Sequence, residues 1–83
     1  MSDLYKLKNL NELMAQIEIG MDIEFYLYGL RYNISWRNGK PFICECPDGD
    51  AVFYDSPEEM FNNYKVHGNP LKNIWKDFEV LFM

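Results

Sequence analysis

Cys44 and Cys46 stand two residues apart, a spacing that in an extended strand points both thiols to the same face and gives poor geometry for a disulfide between them. A structural zinc site would need two further ligands. The chain has a single histidine, His67, and no paired spacing of the zinc-ribbon kind. Both thiols are therefore expected in the core. Asp48, Asp50 and Glu59 fall at positions 1, 3 and 12 of a calcium loop, but the fifth position, which needs an oxygen ligand, is Val52. The sixth, which needs a sharp glycine turn, is Phe53. The carboxylates read as turn residues instead. His67, next to Gly68-Asn69-Pro70, is expected at a helix end, where it favours the dipole. The glycines sit at element ends, with no phosphate-binding run among them. No catalytic, cofactor or metal site is read, and the chain is not expected to be an enzyme.

The elements that would position any site must come from one core, because 83 residues are too few for two. Aromatic residues are 17% of the chain, which lets a small domain bury much area with few side chains. The net charge of -5 works against binding to phosphate backbones, which rests on Lys and Arg, and favours a basic protein partner. No nucleic-acid or membrane partner is expected. No stretch approaches the roughly 18 apolar residues of a membrane span, and the first twenty residues lack a signal-peptide pattern, so a cytoplasmic location is expected.

Leu10, Leu13, Met14 and Ile17 recur at helical spacing, with Asn9 and Glu12 as a capping pair and Gly20 at the exit. From Asp22 the period becomes two. Ile23, Phe25 and Leu27 alternate with Glu24, Tyr26 and Tyr28, and after Gly29 so do Tyr32, Ile34 and Trp36 with Arg31, Asn33 and Ser35. Asn38-Gly39 is a strong hairpin signal leading into a third strand, Phe42 to Cys46. Pro47-Asp48-Gly49-Asp50 turns the chain into a fourth, Ala51 to Tyr54. Ser56-Pro57-Glu58-Glu59 starts a second helix, which carries Met60, Phe61 and Tyr64 and is expected to stop near His67-Gly68. A short helical turn holding Leu71, Ile74 and Trp75 and a last strand through Phe78, Val80 and Phe82 complete the chain. The expected fold is α+β over residues 1–83: a four- to five-stranded antiparallel meander sheet with an N-terminal helix and a C-terminal helix packed on one face.

Candidate partner-binding residues fall into two groups. Glu45, Asp48, Asp50, Asp55, Glu58 and Glu59 lie between Pro41 and Tyr64, a segment without Lys or Arg. Tyr26, Tyr28 and Tyr54 are placed on exposed positions, tyrosine being enriched at binding surfaces. Trp36 and Trp75 are assigned to the core.

The run Asp22-Ile23-Glu24-Phe25-Tyr26-Leu27-Tyr28-Gly29 with Tyr32-Asn33-Ile34-Ser35, and the tail from Gly68-Asn69-Pro70 through Trp75 to Val80, resemble short uncharacterised proteins of Gram-positive bacteria and their prophages. That resemblance carries no activity and no site residue. It implies a mobile-element setting, in which a small acidic protein blocks a nucleic-acid-binding or defence protein. The alternative expectation is a self-associating, homodimeric domain joined at a strand edge.

Overall fold

The computed structural model describes residues 5–6, 9–46 and 49–82. In chain order the elements are β1 (Tyr5–Lys6), α1 (Leu10–Glu18), β2 (Ile23–Leu27), β3 (Leu30–Arg37), β4 (Lys40–Cys46), β5 (Val52–Phe53), α2 (Pro57–Asn63), β6 (Lys65–Val66), β7 (Asn69–Pro70), α3 (Leu71–Ile74), a 3₁₀ turn (Trp75–Asp77) and β8 (Glu79–Phe82). The fold is α+β. Six strands form one sheet in the order β1-β8-β2-β3-β4-β5, every pair antiparallel, and β6 with β7 makes a separate hairpin.

Strands β2 to β5 form the expected meander, while β8 returns from the far end of the chain to lie between β1 and β2. The apolar alternation of the tail explains that central place: Phe78 and Val80 are fully buried, and Val80 pairs with Phe25. The sheet thus has one strand more than expected, because Tyr5–Lys6 adds an edge beside β8.

Register decides which side chains share a face. Phe25 lies opposite Tyr32, and Ile23 opposite Ile34, which in turn lies opposite Ile43. These sheet residues belong to the same buried cluster as Leu13 and Ile17 of α1, Met60 and Phe61 of α2, and Leu71 and Ile74 of α3. The helices therefore cover this face. Phe25 is stacked against Phe78 at 4.0 Å and against Tyr32 at 5.6 Å between ring centroids. Trp36 packs on the cluster from its edge, and its indole N–H donates to the Ile17 carbonyl at 2.8 Å, tying the sheet to the last turn of α1.

The helix starts follow from local chemistry. Asn9 Oδ1 accepts from the Glu12 N–H at 2.7 Å, and Ser56 Oγ accepts from the Glu59 N–H at 3.1 Å with Pro57 at the first helical position. Glu59 reaches back to the N–H of Asp55, one residue before the cap. Ser56→Ala is expected to cost about 1 kcal/mol in urea unfolding and Ser56→Gly only a few tenths. Equal losses from the two would place the effect elsewhere than in the cap.

The second helix is shorter than its expected reach to His67-Gly68. It ends at Asn63, and Tyr64 turns to an extended conformation that sets its ring edge-on against Tyr32 at 6.5 Å. Lys65–Val66 then begins the small hairpin, with His67 and Gly68 both at positive φ, as a type I′ turn demands. His67 is a turn residue, not a helix-end partner of the dipole. Pro70 directly precedes α3 without a side-chain cap, and Asn69 donates to the His67 carbonyl.

Candidate functional site

The face of the sheet turned away from the helices carries three cross-strand rows. Tyr26 lies opposite Arg31 and Arg31 opposite Cys46; Glu24 opposite Asn33 and Asn33 opposite Cys44; Ser35 opposite Phe42 and Phe42 opposite Phe53. Polar side chains lock the rows. Glu24, 8% exposed, forms an ion pair with the half-exposed Arg31, so a carboxylate held at the sheet surface has its charge matched. Ser35 bonds Asp22, and the Asn33 amide donates to the Ile23 carbonyl at 3.2 Å. At the far end the Arg37 guanidinium lies over the rings of Phe42 and Phe53, 5.1 and 5.9 Å from their centroids.

This face leaves large side chains in solvent: Tyr26 is 37% and Phe53 42% exposed. Beside the Tyr28-Gly29 turn, Leu30 is 43% exposed. Tyr26, Gly29, Leu30, Arg31 and Cys46 there line a shallow pocket of about 360 Å³. Its rim is apolar apart from the Arg31 guanidinium.

Tyr28 does not continue the strand alternation. It sits at φ 52° as the first turn residue, its hydroxyl donates to Asp77 at 2.6 Å, and its ring stacks on His67 at 5.2 Å. The hydrogen bond to Asp77 raises its phenol above the ordinary value, with desolvation and the Asp77 charge adding to it. Tyr28, His67 and Asp77 therefore meet where two tight turns touch. The only hint in the sequence is that Tyr28 and His67 each precede a glycine, as Asn38 does in the third such turn.

The acidic segment does not behave as one patch. Asp55 pairs with Lys40 at 3.0 Å, and Glu59 holds the cap of α2. Asp50 and Glu58 are exposed, while Asp48 lies outside the described residues. Glu45 lies opposite Tyr32 on the helix-covered face. Tyr54, expected on the surface, is half-buried and packs against the core. Cys44 and Cys46 are also displaced from expectation. Their register puts them on the uncovered face, both half-buried and free, where the core does not reach.

Partial burial raises the phenols of Tyr32, Tyr54 and Tyr64. Glu45 adds to the shift at Tyr32, Glu59 at Tyr54, and Tyr32 and Glu45 at Tyr64. The folded state then binds these protons more tightly than the unfolded chain. Stability is intact below the ordinary phenol value of about 10 and falls as pH rises through the raised values. Alkaline titration should show tyrosinate absorbance in two phases, the later one coinciding with loss of far-UV circular dichroism. A single phase near the ordinary value with the fold intact would contradict this.

Fold and face together define an α+β sheet domain with one helix-covered side and one side open. No family model matches the chain, and neither a curated protein nor a solved structure does. Among the described residues, no helix is long and apolar enough to cross a membrane.

Proposed function

We propose that this chain is a non-enzymatic protein-interaction module that takes hold of its partner with the uncovered face of the sheet. The observation that carries this is the exposure of Tyr26 and Phe53 on a face tied by the Glu24–Arg31 ion pair and the Asn33–Ile23 hydrogen bond, with Leu30 exposed at the adjoining turn. Several groups that could serve acid–base chemistry have structural duties: His67 is stacked in a turn, Asp77 takes the Tyr28 hydroxyl, Asp55 pairs with Lys40, and Glu59 accepts from the Asp55 N–H at the start of α2. The net charge of -5 suits a basic partner, approached by electrostatic steering and then gripped by the aromatic face. In its sharpest form the module blocks a nucleic-acid-binding or defence protein, in the mobile-element setting that the sequence resemblance suggests.

A second reading has its own support. Strand β5 closes one edge of the sheet with only two residues, and both Val52 and Phe53 are exposed, so a second copy could add its strand there. Light scattering across a wide concentration range separates the two readings, a constant monomer mass removing self-association. For the leading reading, the full chain is immobilised beside its Tyr26→Ala/Leu30→Ala variant and exposed to bacterial lysate. A protein held by the parent and lost from the variant supports the face as the site; identical captures on both would refute it.

A further inference from the structure

We infer that Cys44 and Cys46 together form a two-coordinate site for a soft monovalent cation, and that Cu(I) is the ion their chemistry selects. The two thiols are the half-buried, unbridged sulfur pair of β4, set side by side on the uncovered face by their two-residue spacing. Same-face neighbours in a strand start about 6.5–7 Å apart at Cα. A metal with thiolate bonds of about 2.3 Å needs its two sulfurs within roughly 4.6 Å of each other. Ordinary rotamers that lean the two side chains together close that difference without moving the backbone. Thiolate softness favours Cu(I) over oxygen-seeking cations.

Among the described residues, the surroundings offer no third ligand to the pair. Glu45, between the cysteines in sequence, lies opposite Tyr32 on the other face of the sheet. Among the described residues, no three His, Cys, Asp or Glu side chains are grouped to hold a metal. A tetrahedral zinc centre would need two more donors, whereas Cu(I) is satisfied by two sulfurs in line. Binding would proceed as Cu⁺ + 2 R–SH → [Cu(SR)₂]⁻ + 2 H⁺, with no change of oxidation state and one negative charge left on the centre. Arg31 stands opposite Cys46 and already pairs with Glu24.

The test uses the reduced full chain under anaerobic conditions, competing for Cu(I) against bathocuproine disulfonate. The expected result is uptake of one Cu(I) per chain by a monomer, with Cys44→Ser, Cys46→Ser and the double variant all losing competition to the same extent. Single variants that compete like the parent, or copper loading that pairs two chains, would overturn the proposal, as would equally tight uptake of Zn(II). X-ray absorption of the copper-loaded parent gives a readout that does not depend on the variants folding. Two sulfur neighbours are expected, and nitrogen or oxygen neighbours would also overturn it.

Discussion

Phe25→Ala is expected to remove about 3–5 kcal/mol of stability, enough to leave little of the folded state at 37 °C. Phe25 is fully buried on the central β2, and its ring is stacked between Phe78 of the returning chain and Tyr32 of β3. Truncation would leave a cavity, because Tyr32 lies on a strand paired on both sides and Phe78 directly precedes β8, which pairs with β1 and β2. It would also remove two aromatic contacts worth more than their area alone. A chain of 83 residues has of order 4–12 kcal/mol in total, so the loss is a large fraction of the whole. Phe53→Ala, on the 42%-exposed edge, should cost about 1 kcal/mol or less. Urea midpoints of the two variants decide the matter. Losses of similar size would mean that the core does not centre on the Phe25 stack.

The Tyr26→Ala/Leu30→Ala variant is expected to weaken partner binding by at least about 2 kcal/mol, roughly 30-fold in affinity, with little change in the urea midpoint. Both side chains are more than a third exposed, so neither supplies much of the core. They flank the pocket that Arg31 and Cys46 complete, where a partner's anchoring side chain would lose its water. By contrast, neutralising Asp50 and Glu58 should slow association and weaken the salt dependence, because exposed charges act mainly through steering. If the acidic substitutions abolished binding and the aromatic pair left it untouched, the acidic segment would be the site after all.

Local chemistry was legible in the sequence. The period of Leu10, Leu13, Met14 and Ile17, the Asn38-Gly39 turn and the Ser56-Pro57 start each involve residues within one or two turns of each other, and all three hold. Placement of β8 between β1 and β2 was not legible, since strand pairing across more than fifty residues leaves no local trace beyond an apolar tail. Period two also tells which residues share a face without telling which face the helices will cover. For that reason Cys44 and Cys46 were correctly put together and wrongly put in the core. The helix that stops at Asn63 failed for a different reason: His67-Gly68 carries the same two-residue turn chemistry as Asn38-Gly39, and a strand of only two residues on either side gives no alternation to reveal it. The meeting of Tyr28, His67 and Asp77 depends on two such turns touching, a purely tertiary event.

Backbone hydrogen exchange, recorded on the chain alone and bound to the captured partner, tests the central claim most directly. The expected result is new protection concentrated at Tyr26 to Arg31 and Cys44 to Cys46, with α1 and α2 unchanged. Protection confined to α1 and α2, with the sheet exchanging as before, would contradict binding through the uncovered face.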